Sequence, residues 1–112
     1  MTTEVLNEER LLATVGGDLE LLAEIARLFL EDSVEMQERL RAALEREDDD
    51  ALFRAAHWAK GSVANFAADR AVALGLEVEE MARSDGAAAA TAKVEQLLAE
   101  LDRVRVALQS YC

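Results

Sequence analysis

The sequence predicts an all-α protein, arranged as an antiparallel up-down-up-down four-helix bundle with a short extra helix at its N-terminus. Three observations support this fold. Alanine, leucine and glutamate, which are good helix formers, dominate the composition. Proline is absent, and only five glycines interrupt the chain. Apolar residues recur at spacings of three and four, whereas no segment alternates with the two-residue period of a strand. The length of 112 residues fits one domain, covering residues 1–112.

The first predicted helix, residues 4–14, is short and amphipathic. Four of its residues are available for burial: Val5, Leu6, Leu11 and Leu12. The helix is expected to end before Gly16 and Gly17, because adjacent glycines interrupt a helical pattern. Asp18 follows them and is a natural N-cap for the next helix, since its side chain can accept a hydrogen bond from the first free backbone N–H groups.

The second predicted helix is long, covering about residues 18–46. Its inward positions form one stripe at helical spacing: Leu22, Ile25, Phe29, Ser33, Met36, Leu40 and Ala43. A helix of this length suits a bundle better than a small globule. The acidic run at residues 47–50 is expected to connect this helix to the third and to cap the third at its positive N-terminus.

Three more segments complete the predicted bundle. The third helix covers about residues 51–67. Asp69 is expected to cap a fourth helix, residues 69–84, with these positions inward: Val72, Leu74, Val78 and Met81. A turn at residues 85–86 leads to the last helix, residues 87–110. Its inward positions, together with the tyrosine that follows it, have regular three-four spacing: Val94, Leu97, Leu101, Val104, Leu108 and Tyr111.

The charge of the chain excludes several classes of partner. With 23 acidic and 12 basic residues, the net charge is −11. Nucleic acids bind mainly through Lys and Arg, so we expect no nucleic-acid partner. We also expect no membrane association, because the charge disfavours anionic lipid and no apolar run reaches the ~18–20 residues of a spanning helix. The N-terminal residues lack the basic start and apolar stretch of a signal peptide, which predicts a cytoplasmic protein.

The sequence also argues against a metal site and a disulfide. Cys112 is the only cysteine and His57 the only histidine. One cysteine forms no internal disulfide, and this pair is too small a set for a structural zinc ion. The Glu-x-x-His pair of di-iron bundles is absent because Arg54 occupies the glutamate position. No glycine-rich nucleotide loop is present. We therefore expect no cofactor.

His57 lies in a window, residues 51–68, that contains no Asp or Glu although the chain is acidic. On a helical wheel, the residues on its side are Phe53, Lys60, Gly61, Ala64 and Ala68. The opposite side carries the expected core positions: Leu52, Ala55, Ala59, Ser62, Val63 and Phe66. Trp58 falls at the boundary between the two faces. The pattern predicts that His57 points outward.

A lone histidine on a helix is ordinarily incidental or structural, but its neighbours here favour a function. Gly61 occupies mid-helix, where glycine costs about 1 kcal/mol relative to alanine, so close approach of another molecule is a reason for it. Lys60 can reach the outer edge of the imidazole. With no nucleophile, pocket or nucleotide loop beside it, His57 is suited to nucleophilic attack on a phosphoryl group brought by another protein. Lys60 would then offset phosphoryl charge.

The chain resembles the histidine-containing phosphotransfer (HPt) domain family. The resemblance rests on His57, Lys60, Gly61 and Ser62, with Asn65 at an expected place, and on the order of the helical segments. Three further segments resemble the usual layout of the family: residues 16–18 before the long helix, residues 29–31, and residues 76–83 before the Ser-Asp-Gly turn. Three neighbouring positions depart from the family pattern, namely Trp58, Ala59 and Ala67.

The resemblance implies a carrier in a phosphorelay, a two-component signalling pathway, rather than an enzyme with its own kinase activity. His57 would accept a phosphoryl group on its outward Nε2 from a receiver-domain aspartate or a sensor histidine kinase, and pass it to another receiver. The Mg²⁺ of such exchanges would belong to the receiver. We expect the receiver to dock on a surface comprising Phe53, Arg54, Trp58, Ala64, Asn65 and Ala68.

Two other functions remain open at this point. The chain could be a helical adaptor whose exposed face docks receiver domains without phosphoryl transfer. It could also be the phosphoacceptor domain that serves a chemotaxis-type kinase in trans, since that domain shares the bundle fold. The adaptor is distinguished from a phosphoryl carrier by whether a variant without His57 still supports the cellular response.

Overall fold

The computed structural model describes residues 4–112, and over these residues it contains helices and no strands. The α-helices are α1 (Glu8–Thr14), α2 (Leu19–Glu45), α3 (Asp49–Ala64), α4 (Asp69–Ser84) and α5 (Thr91–Gln109), and a 3₁₀ turn (Ala87–Ala90) precedes α5. α2 packs on α3, α3 on α4, α4 on α5, and α5 packs back on α2. The predicted all-α, four-helix bundle with a short extra N-terminal helix is confirmed.

The long helix α2 forms one wall of the bundle. Its N-cap is Asp18, as predicted, whose carboxylate accepts hydrogen bonds from the backbone N–H groups of Glu20 and Leu21 at 3.0 and 3.1 Å. The predicted inward stripe is buried with one exception. Ile25 is half-buried, and Ala26, one residue later, takes its place in the core. A helix turns 100° per residue, so a three-four pattern admits either neighbour.

α1 begins later than the sequence predicts, at Glu8 instead of residue 4, because the Asn7 side chain caps it through the Arg10 N–H at 3.1 Å. The preceding Leu6 is buried, whereas Leu12 is exposed although its burial was expected. The Asn7 N–H donates to the carbonyl of Ala67 at 3.0 Å. These contacts hold α1 against the connection between α3 and α4.

Two aspartates at the start of α3 accept backbone hydrogen bonds, one within α3 and one from the segment before α5. Asp48 is the N-cap and accepts a hydrogen bond from the Ala51 N–H at 3.0 Å, as the acidic run predicts. The neighbouring Asp49 reaches across the bundle and accepts a hydrogen bond from the Ala87 N–H at 2.7 Å. The first turn of α3 is therefore tied to the segment that leads into α5.

The ends of the later helices differ from the sequence prediction. α3 stops at Ala64, three residues early, and Ala67 then adopts a positive φ of 54°. Asp69 does not cap α4: Ala68 holds the cap position without a side-chain bond, and Asp69 is the first helical residue. Its carboxylate instead binds the Arg10 guanidinium through two hydrogen bonds of 2.7 and 2.9 Å, which lower the pKa of Asp69. Val72 and Met81 are half-buried.

The last predicted helix is split in two. Its first four residues, Ala87–Ala90, form a 3₁₀ turn, and α5 starts at Thr91. Gly86 precedes the turn with a φ of 88°, a conformation that favours glycine, and its carbonyl accepts a hydrogen bond from the Ala89 N–H. From Thr91 onward the predicted inward positions of α5 are buried, while Tyr111, beyond its end, is half-buried. Within residues 4–112 no helix is long and apolar enough to cross a bilayer.

α3 and α4 approach each other closely at Gly75. A Cβ atom at this position would lie 3.0 Å from the Cβ and 3.3 Å from the Cα of Lys60. Such contacts are tighter than a packed interior normally allows. The absence of a side chain at Gly75 therefore lets the backbone of α4 lie against the turn of α3 that carries Lys60.

We predict that Gly75→Ala destabilises the bundle while Gly61→Ala stabilises it. Alanine in a helix gains about 0.5–1 kcal/mol over glycine, but at position 75 overpacking costs about 1–3 kcal/mol and outweighs that gain. At Gly61 a Cβ would meet no atom within 4 Å, so only the helix gain applies. Urea unfolding of both variants measures the difference. Equal stabilisation by the two substitutions would show that the close approach does not constrain the fold.

Candidate functional site

His57 projects from the middle of α3 into solvent, as the helical pattern predicts. Five residues of α3 are buried and fix its orientation: Leu52, Ala55, Ala56, Ala59 and Val63. The side chain of His57 is 65% exposed. Gly61, one turn further along, is exposed as well, and a Cβ there would meet open space. A second molecule can therefore approach the outer edge of the imidazole without contact with a side chain at position 61.

Glu79 of α4 lies beside His57 and completes a cluster that the sequence reasoning missed. Its Oε2 is 2.9 Å from His57 Nδ1, and its Oε1 is 2.5 Å from Lys60 Nζ. The Glu79 side chain is only 6% exposed. A sequence signal did exist, because Glu79 follows Gly75 by four residues on the inward face of α4. An acidic residue at an inward position is unusual without a partner.

The carboxylate fixes which ring nitrogen of His57 is free. An ionised carboxylate only accepts hydrogen bonds, so Nδ1 of the neutral imidazole must carry the proton that is shared with Glu79. Nε2 then holds the lone pair. Because Nδ1 is turned toward α4 and the side chain is largely exposed, Nε2 is the nitrogen that a second molecule can reach.

Glu79 is held in its charged form. Burial by itself would raise the pKa of this carboxyl, but the hydrogen bonds and charges of Lys60 and His57 outweigh burial and keep the pKa below its ordinary value of 4.5. The carboxylate is therefore ionised at neutral pH and can act as a hydrogen-bond acceptor and as a negative charge beside the imidazole.

Lys60 occupies a different position from the one expected. Its ammonium contacts Glu79, on the inner side of the imidazole, and its side chain is 27% exposed. The sequence predicted it at the outer edge of His57. The difference arises because the buried carboxylate, absent from that reasoning, attracts the nearest cation. The flexible stem of lysine allows the ammonium to remain near the imidazole while bound to Glu79.

Phe53 lies on the same side of α3 as His57, one turn before it. The two rings are nearly parallel, with centroids 6.0 Å apart and an interplanar angle of 14°. The guanidinium carbon of Arg83 lies 4.0 Å from the Phe53 ring centroid. This contact between an arginine of α4 and an aromatic ring of α3 steadies the side of the site next to the imidazole.

The surface expected to dock a receiver is only partly exposed. Arg54, Ala64 and Asn65 are exposed, and Phe53 and Trp58 are half-buried. Ala68 is fully buried, so its inclusion was wrong. The helical wheel was extended to position 68, but α3 ends at Ala64, and the connection to α4 turns Ala68 into the core.

The end of α3 and the terminal cysteine lie outside this cluster. Phe66 is buried as expected, although beyond the helix, and its ring makes an edge contact with Phe29 at 5.5 Å between centroids. Ser62 is half-buried. Cys112 is an exposed free thiol. Among residues 4–112, no three His, Cys, Asp or Glu side chains come together as a possible metal site.

Comparisons with known proteins agree with this architecture. The chain matches the family described as the Hpt domain over residues 24–107. Histidine-containing phosphotransfer protein B (HptB) of Pseudomonas aeruginosa PAO1 has a similar structure, with a TM-score of 0.85, 31% identity, and coverage of 97% of this chain and 95% of that one.

The HPT domain of the Hpt sensor hybrid histidine kinase from Shewanella has the same fold, with a TM-score of 0.83 at 20% identity, over 95% of this chain and 92% of that one. No curated protein sequence matches the chain significantly. The family match extends over most of the sequence, and the fold agrees with it. The chain therefore belongs to the Hpt domain family, and its function is histidine phosphotransfer in a phosphorelay.

Proposed function

We propose that His57 is the residue that carries the phosphoryl group, which it receives on Nε2 from a receiver-domain aspartate or a sensor histidine kinase and passes to a receiver aspartate. One observation carries this proposal. The only histidine of the chain is 65% exposed and has its Nδ1 bound by a buried carboxylate, which leaves Nε2 free to attack. An incidental surface histidine would not need this partner.

Phosphoryl transfer from a receiver aspartate to His57 requires only groups that the two proteins carry. The Nε2 lone pair of His57 attacks the phosphorus of an aspartyl phosphate, a P–N bond forms, and the bond from phosphorus to the aspartate oxygen breaks. The aspartate leaves as a carboxylate. Nδ1 keeps its proton throughout, so the phosphorylated ring carries a positive charge. Glu79, 2.9 Å from Nδ1, stabilises that charge.

Lys60 and Gly61 support the same step. The ammonium of Lys60 belongs to the same cluster as His57 and Glu79, and it would offset charge on the transferred phosphoryl oxygens. Once His57 is phosphorylated, its positively charged ring can neutralise Glu79 through the Nδ1–H bond. The Lys60 ammonium can then turn from Glu79 toward the phosphoryl group. Gly61 leaves the space above the next turn of α3 open to the partner. This assigns Lys60 to charge stabilisation and Gly61 to access.

The partners follow from the chemistry. A receiver domain or a kinase must bring the phosphoryl group, and we expect Mg²⁺ to be bound by the receiver and not by this chain. We also expect the protein to act as a carrier without kinase activity of its own, in the cytoplasm. The buried Glu79 favours phosphoryl transfer over the adaptor alternative, because a surface used only for docking gains nothing from a charged group behind the imidazole.

We predict that His57→Gln abolishes phosphorylation by a phosphorylated receiver or a cognate kinase, because it removes the only imidazole. Incubation with a panel of labelled receivers and kinases, followed by gel analysis, measures the label, which should be acid-labile and base-stable on the wild-type protein. Circular dichroism checks that the variant is folded, as expected for an exposed position. Persistent label on the folded His57→Gln protein would refute the assignment of the site.

We predict that Glu79→Gln slows phosphoryl transfer by about 10-fold or more, because Glu79 orients His57 as carboxylates orient metal-binding histidines, where their loss costs about 10–100-fold. Glutamine can donate as well as accept, so it no longer fixes the proton on Nδ1. Nitrogen NMR of the imidazole should show a larger share of the Nε2–H tautomer, and Lys60→Ala should slow transfer without this change.

Glu80→Gln is the matched control, because it removes the same charge from the next, exposed residue of α4. It should leave both the rate and the tautomer close to wild type. Equal tautomer populations in Glu79→Gln and wild type would contradict the role given to the carboxylate.

The lowered pKa of Glu79 gives a pH dependence of stability. The unfolded chain binds this proton more readily than the folded one, so the contribution of Glu79 is complete above its ordinary pKa of 4.5 and is lost as the pH falls through the lower folded-state value. Urea unfolding at pH 7 and at about pH 3 should therefore show that the advantage of wild type over Glu79→Gln shrinks in acid. An advantage that is unchanged at both pH values would contradict the prediction.

A further inference from the structure

A surface pocket lies between α2 and α3, and no step of the proposed phosphoryl transfer uses it. It has a volume of about 260 Å³ and its lining, here called the arginine pocket, consists of Arg39, Ala42, Ala43, Arg46, Ala51, Arg54, Ala55 and Trp58. The alanines and the tryptophan form an apolar floor, and the three arginines surround it. Such a combination suits a ligand that is compact and negatively charged.

The charge of the arginine pocket is opposite to that of the protein as a whole. Its lining contains three arginines and no acidic residue, whereas the chain carries 23 acidic and 12 basic residues. Three of the chain's basic residues therefore meet at one cavity. Guanidinium groups bind carboxylates through two parallel hydrogen bonds and are the usual choice for such recognition.

The arginines are available to a partner. Arg39 pairs with Glu35 at 3.0 Å and Arg54 with Asp50 at 2.9 Å, both within one turn of their own helix. All four side chains are more than half exposed. Ion pairs of this kind are worth only about 0–1 kcal/mol, so another carboxylate can replace them. Arg46 is exposed and forms no ion pair with any residue in the described range 4–112.

Trp58 gives the pocket a fixed side. The guanidinium carbon of Arg39 lies 5.3 Å from the centroid of the Trp58 ring. This cation–π contact holds the arginine of α2 over the ring of α3. Trp58 was expected at the boundary between the two faces of α3. It is half-buried there, and it lines the pocket together with residues of α2.

The arginine pocket adjoins the phosphorylation site. Arg54 precedes His57 by three residues and Trp58 follows it directly, so both lie within one turn of the imidazole on the same helix. Glu79 supports His57 from the side of α4, and the pocket lies on the side of α2. A protein that brings a phosphoryl group to Nε2 therefore covers the rim of the pocket as well.

We propose that the arginine pocket binds an aspartate or glutamate side chain of the receiver domain, outside the receiver's phosphorylation site, and thereby selects the receiver. This inference rests on the proposed function. The receiver surface that faces His57 carries at least the carboxylate of its phosphoacceptor aspartate, and a net charge of −11 repels such a surface. A local positive pocket beside His57 compensates that repulsion and fixes the orientation of the partner.

Arg46→Glu tests the proposal, with Arg41→Glu as the matched control. Both arginines are exposed on α2, but Arg41 is not part of the pocket. The measurement is the initial rate of transfer from the receiver that exchanges fastest with wild type, over a range of protein concentrations. Each rate is divided by the rate of labelling with phosphoramidate, a small donor that needs no docking surface. The quotient isolates docking from the reactivity of His57.

We expect Arg46→Glu to lower the normalised kcat/KM by about 10-fold, mainly through KM, and Arg41→Glu to change it by less than about 3-fold. The difference in normalised kcat/KM between Arg46→Glu and Arg41→Glu should become smaller at high salt, because exposed charges are screened. A receiver in which one acidic residue near the phosphoacceptor is changed to lysine should restore transfer to Arg46→Glu. The role given to the pocket would be wrong if Arg46→Glu and Arg41→Glu had equal effects. It would also be wrong if none of the receiver variants with an acidic residue changed to lysine restored transfer to Arg46→Glu.

The measurements distinguish an error in the proposed function from an error in the role of the arginine pocket. If phosphoramidate and receivers both leave His57 of the wild-type protein unlabelled, the proposed function is wrong and the pocket has no receiver to bind. If His57 is labelled and transfer proceeds, but Arg46→Glu behaves as Arg41→Glu does, the proposed function stands and the inference about the pocket is wrong.

Discussion

Glu79 is almost completely buried between α3 and α4, and its two carboxylate oxygens are bound by an imidazole and an ammonium group of the neighbouring helix. A buried charge costs several kcal/mol unless it is paired, and α3 supplies the partners of this carboxylate through His57 and Lys60. The contact therefore works in two directions. It orients the imidazole, and it requires α3 to present these two residues on one side.

The approach of α3 to α4 makes that contact possible. Gly75 lets the backbone of α4 lie against Lys60, and Glu79 follows one turn later on the same face. A larger residue at Gly75 would push the helices apart at the level of the cluster. The packing of the bundle and the chemistry of the site thus depend on the same short distance between α3 and α4. Because the two helices hold Glu79 and His57 in fixed positions, a single exposed histidine can be kept in one tautomer.

The charges of the surface are arranged around His57. Acidic residues dominate the chain, yet Arg54 and Arg83 are exposed on the side of the imidazole, with Lys60 half-buried behind it. Arg39 and Arg46 lie across the groove on α2. The net negative charge of the rest of the chain disfavours unspecific contacts with other acidic molecules. The basic residues beside His57 favour partners that bring negative charge there, which is the requirement of a carrier that exchanges phosphoryl groups with other proteins.

The sequence by itself determined the helical class, the order of the helices and the outward direction of His57, because these depend on composition and on periodicity within one segment. It also identified Lys60 and Gly61, which are neighbours of His57 along the chain. Tertiary structure alone decided the rest. Glu79 is 22 residues away from His57, and Ala68 is buried by a turn that the helical wheel does not contain. The arginine pocket likewise joins α2 to α3. Contacts between helices depend on how their faces are rotated and how closely they pack, and the local pattern of one helix does not specify either.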